Sequence, residues 1–150
     1  MAMYKRILVA TDASELAERA VQAAIDLALS MQAELVAVRV VRRDPNSYFE
    51  GSVVLPQVDV ARLVEQINAE AQSTLDKVKA EADAKGVKKT QAIVVQSETV
   101  SDAIIETARD QQCDLIVMAS HGRKGIKRML MGSETLQVLT HSHTPVLVLR

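Results

Sequence analysis

The segment Asp114-Leu115-Ile116-Val117-Met118-Ala119-Ser120-His121-Gly122 decides how this chain is read. Four apolar residues follow one another without alternation, and the chain then passes abruptly into small and polar residues. A strand exposed on one face alternates polar and apolar side chains, whereas a continuous run marks a strand covered on both faces. Four further runs share the pattern: Ile7-Leu8-Val9, Leu35-Val36-Ala37-Val38, Ala92-Ile93-Val94-Val95 and Val146-Leu147-Val148-Leu149.

The intervals between these runs have helical period. Ala17, Ala20, Val21, Ala24 and Ala28 recur at three- and four-residue steps behind an N-cap expected at Ser14. Val60, Leu63, Val64, Ile67, Ala71, Leu75, Val78 and Ala82 form a longer stripe, stopped by Gly86. Val100, Ala103, Ile104 and Ala108 make a third, with Thr99 and Asp102 in capping-box positions. A short fourth runs from Ser133 through Leu136 and Leu139 and ends before Pro145. Strict alternation of strand and helix predicts an α/β fold, an open parallel sheet of five strands with helices on both faces and right-handed crossovers. The stretch from Arg42 to Gln57, with Pro45, Gly51 and Pro56, reads as a surface loop.

Composition narrows the function. At 150 residues the chain suits one domain, 1–150, and 48% hydrophobic residues with a net charge of -1 exclude disorder. The aromatics are Tyr4, Tyr48 and Phe49 alone, too few for a base-stacking platform, and the charge is far from the basic footprint of a nucleic-acid binder. A single cysteine, Cys113, excludes a disulfide framework and reads as a residue near the start of a buried strand. No run approaches the ~18 apolar residues of a membrane span, so a soluble cytoplasmic protein is expected.

In parallel sheets of this kind ligands bind beyond the carboxyl ends of the strands, where the strand order reverses. Between Ala119 and Thr135 lie three glycines, the cations Arg123, Lys124, Lys127 and Arg128, and a Gly132-Ser133 pair opening a helix. Glycines admit an anion close to backbone N–H groups, and a helix N-terminus adds unpaired donors and a favourable dipole. From spacing alone, a phosphate site and an ordinary basic surface loop fit equally well. Asp12, at the end of the first strand, is placed either to accept from a ribose or base or to cap the following helix. His121 is the histidine nearest the crevice, but no acid adjoins it in sequence; His141 and His143 lack companions at metal-ligand spacing. The P-loop, the G-x-S-x-G elbow and G-x-G-x-x-G are all missing, which points to binding rather than catalysis.

The opening Tyr4-Lys5-Arg6-Ile7-Leu8-Val9-Ala10-Thr11-Asp12 with Ser14 resembles the start of a universal stress protein. So do Asp114 to Gly122 continuing to Gly132-Ser133, and the ending Thr144-Pro145-Val146-Leu147-Val148-Leu149. Nucleotide-binding members of that family carry G-x2-G-x9-G-[ST] after the fourth strand. Here Gly122 matches the second glycine, nine residues follow, Gly132-Ser133 completes the motif, and Ala119 stands in the place of the first glycine.

The resemblance implies a Rossmann-like sheet of order 3-2-1-4-5, of the adenine nucleotide alpha hydrolase-like kind. It implies a stress-response regulator that is homodimeric through the edge strand Val146–Leu149 and takes ATP, with Mg2+ a candidate companion. Asp12 and the backbone near Ala10, Thr11 and Val40 would hold adenine and ribose, with Met118 lining the base. Amides at Gly122, Gly132, Ser133 and Thr135 would take the phosphates. His121 and Arg123 join the set by position, and Glu134 would either repel phosphates or reach a metal. No catalytic residue follows, and slow ATP hydrolysis is the most that is implied. The alternative is a nucleotide-free member acting through protein contacts, because an alanine at position 119 costs about 1–2 kcal/mol if that position needs positive φ.

Overall fold

A computed structural model describes residues 3–43, 57–122 and 131–150, Gln57 and Val58 in backbone only. Most of the expected loop between Arg42 and Gln57, and the cations Arg123, Lys124, Lys127 and Arg128, lie outside the described residues. The elements are β1 (Arg6–Ala10), α1 (Glu15–Met31), β2 (Glu34–Arg42), α2 (Gln57–Lys85), β3 (Thr90–Ser97), α3 (Val100–Asp110), β4 (Leu115–Ala119), α4 (Ser133–His141) and β5 (Val146–Leu149).

The five strands form one sheet of order β3-β2-β1-β4-β5, with every neighbouring pair parallel. β1 sits between β2 and β4, with Leu8 opposite both Val36 and Ile116. The chain therefore leaves β1 towards one edge, returns, and fills the other half, so the order reverses between β1 and β4. Helices α1 and α2 cover one face over a core that includes Ile7, Val9, Ala24, Ile25, Leu75 and Val117. The other core holds Leu8, Val36, Ile104, Ala108, Ile116 and Val138, with α3 and α4 above it.

Local signals explain most boundaries. Ser14 caps α1, its hydroxyl accepting the Ala17 N–H at 3.2 Å. Gly86, at φ 99, ends α2 in the left-handed conformation that favours glycine, and its N–H returns to the Ala82 carbonyl. Along α2, Ala71, Leu75, Val78 and Ala82 are buried, but Val60, Leu63, Val64 and Ile67 are only half-buried. A helix of 29 residues spans ~43 Å, longer than a nine-residue strand at ~30 Å, so its first turns outrun the sheet.

Three expectations need correction. Full cover on both faces holds for β1, β2 and β4, whereas β3 and β5, at the two edges, are largely half-buried. Thr99 and Asp102 form no capping box: the Thr99 side chain makes no cap bond, and its N–H turns back to Ser97 Oγ at 3.2 Å. In α4, Leu136 and Leu139 point outward at 52% and 40% exposure, while Thr135 and Val138 are buried. The Thr135 hydroxyl donates to the Ala119 carbonyl at 2.8 Å, which turns that face of the helix inward.

Candidate functional site

The carboxyl end of β1 is built by its own short side chains. Thr11 N–H donates to the Val38 carbonyl at 3.1 Å, extending the sheet by one bond, and Thr11 Oγ1 accepts from Ala13 N–H at 3.1 Å. Asp12 Oδ1 accepts from Ser14 N–H at 2.9 Å, which fixes the carboxylate at the start of α1. This tight turn puts Ala13 at φ 64. A left-handed alanine costs about 1 kcal/mol or more, and nothing in the sequence announced it.

Across the reversal, Gly122 meets that carboxylate. A Cβ built on Gly122 would collide with Asp12 Oδ2. A side chain at 122 would require the Asp12 carboxylate to shift. The requirement is spatial, because the positive-φ residues among those described are Ala13, Gln32, Gln112 and Gly86. Ala119 is not one of them either: it is the last residue of β4, 8% exposed, and the strain considered for it does not arise.

The long connection after β4 is tied at its base. Ser120 N–H donates to the Leu149 carbonyl and Gly132 N–H to the Ser120 carbonyl, both at 2.7 Å. Gly132 has φ -62, so contact rather than backbone angle is what favours glycine there: a Cβ would lie tightly, 3.2 Å from His121 Cα and 3.2 Å from the Ser120 carbonyl. One of the expected phosphate-binding amides is therefore already engaged, the Gly132 N–H. What α4 presents instead are the N–H groups of Ser133, Glu134 and Thr135, which precede its first internal bond, Leu136 N–H to the Gly132 carbonyl at 3.0 Å. These donors and the helix dipole suit an anion.

The apolar members fall on one side. Ala10, Val40 and Met118 all pack with the core beneath α3 and α4, at the carboxyl ends of the adjacent strands β1, β2 and β4. His121 is half-buried, its Nδ1 3.3 Å from Ser120 Oγ. Arg123 lies outside the described residues.

Glu134 does something the sequence did not suggest. Its Oε2 accepts the Ser101 N–H at 2.9 Å, and its Oε1 lies 3.4 Å from the Arg42 guanidinium. Ser101 is in the first turn of α3, so Glu134 supplies from another helix the cap that Thr99 does not. Arg42 and Ser101 are 92 and 33 residues away in sequence, and no local pattern could have found them. Among the described residues, no three His, Cys, Asp or Glu side chains gather as a metal set.

An open parallel sheet with a carboxylate fixed after β1, a glycine pressed against it after β4 and a helix N-terminus after the same strand defines an α/β protein of Rossmann-like build. The sequence profile of the universal stress protein family matches residues 3–150. The chain belongs to that family. Universal stress protein MJ0531 of Methanocaldococcus jannaschii is 35% identical, over 99% of this chain and 83% of its own. Universal stress protein UspA from Lactobacillus plantarum superposes with a TM-score of 0.83 at 25% identity, covering both chains completely. A universal stress protein in complex with cAMP superposes with a TM-score of 0.70 over 98% of this chain and 97% of its own, and at 24% identity that likeness is one of fold.

Proposed function

We propose that this universal stress protein is a homodimeric regulator that binds an adenine nucleotide, ATP, in the crevice between the carboxyl ends of β1 and β4. The observation that carries the reading is the contact of Gly122 with Asp12, a cradle that any side chain at 122 would fill. Asp12 is the acceptor for ribose or base. Ala10, Val40 and Met118 give the base an aliphatic and thioether wall, consistent with a chain nearly devoid of aromatics. The first-turn N–H groups of α4, with the Ser133 hydroxyl, receive phosphate. Mg2+ would travel with the phosphates and needs no protein cluster of its own.

The competing reading, a nucleotide-free member acting through protein contacts alone, drew its support from Ala119 and from the Glu134 carboxylate; Ala119 has no positive φ, and Glu134 is engaged by the Ser101 N–H and Arg42. Ligand at a hundred times its Kd stabilises a fold by about 2.7 kcal/mol, which for a chain of this size raises Tm by about 5–10 °C. That shift is expected with millimolar ATP and Mg2+, and should vanish in Gly132→Glu. A melting curve indifferent to ATP would favour the nucleotide-free reading.

β5 pairs with β4 on one side and ends the sheet on the other. Its run Val146–Leu149 contains no charge or proline, and Leu147 is 40% exposed. Pairing with a second copy would cover an edge otherwise open to association.

A further inference from the structure

We infer that Glu134 is a positioning residue for the nucleotide's phosphates, an inference that rests on the adenine-nucleotide reading above. A carboxylate in the first turn of the phosphate-binding helix would ordinarily be a source of repulsion. Here both oxygens are directed elsewhere. Oε2 accepts the Ser101 N–H at 2.9 Å, at the positive end of the α3 dipole, and Oε1 is 3.4 Å from the guanidinium of Arg42, the last residue of β2. One side chain thus joins three elements: the helix that receives phosphate, the helix beside it and the strand whose Val40 lines the base wall. Its charge is offset by a helix dipole and a cation, so little of it is left to oppose phosphate.

The joint also fixes a direction. The N–H groups of Ser133, Glu134 and Thr135 bind an anion only if the first turn of α4 keeps its orientation. The Gly132 N–H and the Thr135 hydroxyl hold that turn to β4, at 2.7 and 2.8 Å. Glu134 holds its other side to α3. Without it, the hydrogen bonds that hold the turn among the described residues are those on the β4 side, and the donors lose their common aim.

The test is calorimetric titration of adenosine, AMP and ATP into the full chain and its variants, each verified as folded by circular dichroism. Glu134→Ala should weaken AMP and ATP by about tenfold while adenosine affinity stays unchanged. Glu134→Gln keeps an acceptor for Ser101 N–H and should remain within about threefold of wild type. Glu134→Asp keeps the charge but shortens the reach, and should fall with Glu134→Ala; if the alanine variant does not fold, the Asp and Gln pair decides. Wild-type protein that binds none of the three overturns the adenine-nucleotide reading and this inference together. Wild-type binding with variants that hold ATP equally well or more tightly overturns the inference alone, marking Glu134 as indifferent or repulsive. Parallel losses for adenosine and ATP would reduce it to general support of the fold.

Discussion

Gly122 and Asp12 act as one unit: the glycine matters because of the carboxylate beside it, not because of its own backbone angles. Gly122→Ala should therefore leave the fold intact but displace Asp12, weakening ATP by tenfold or more, on the order of 1.4 kcal/mol; an alanine variant with wild-type affinity would separate Asp12 from the site. Cys113 illustrates the opposite kind of residue, one whose chemistry the fold suppresses. It is 8% exposed, and burial pushes its thiol from an ordinary 9.0 up to about 12. Since burial disfavours the thiolate, the nucleophilic form is scarce in the folded protein until pH approaches 12, but abundant above 9 once the chain unfolds. Thiol reagents at pH 8 should leave native protein unmodified and label it rapidly in urea. Rapid native labelling would mean that the β4 entrance opens.

Elements differ in where their ends are secured. α1 is capped by its own Ser14, so Ser14→Ala should cost about 1 kcal/mol in chemical denaturation. α3 is capped from α4 by Glu134, so Thr99→Ala should stay within about 0.5 kcal/mol of wild type. Equal costs for the two would contradict this assignment. The contrast also marks how much the sequence disclosed. Apolar runs, the Ser14 cap and the Gly86 stop are local signals, and they sufficed for all nine elements. The strand order came from the family resemblance, because periodicity does not record which strands are neighbours. At the site, Asp12 and the spacing from Gly122 to Gly132-Ser133 were legible as a motif. Their reasons were not. The Gly132 N–H bond to Ser120, the left-handed Ala13 and the reach of Glu134 to Ser101 and Arg42 are products of packing between segments far apart in sequence. The inward turn of Thr135 escaped for the same reason, since Leu136 and Leu139 offered the more conventional stripe.

On the scale of the whole molecule, the two ends of the sheet differ. Asp114, bonded to the Lys5 and Arg6 N–H groups, and the Arg6–Glu34 pair secure the amino ends of the strands. The opposite end carries the crevice, where the order reverses between β1 and β4. The open edge at β5 leads to a further expectation: Leu147→Lys should convert a dimer to monomer in sedimentation velocity with the melting curve largely preserved, whereas an unchanged sedimentation coefficient would remove β5 from the interface. Among the described residues no helix is long and apolar enough to cross a membrane. The central claim, adenine-nucleotide binding between β1 and β4, is tested most directly by denaturing gently purified protein and analysing the released small molecules by anion-exchange chromatography with mass detection. An adenine nucleotide approaching one per chain, lost in Gly122→Ala, is the result predicted here; wild-type protein that releases none, and takes none up from millimolar ATP with Mg2+, would contradict it.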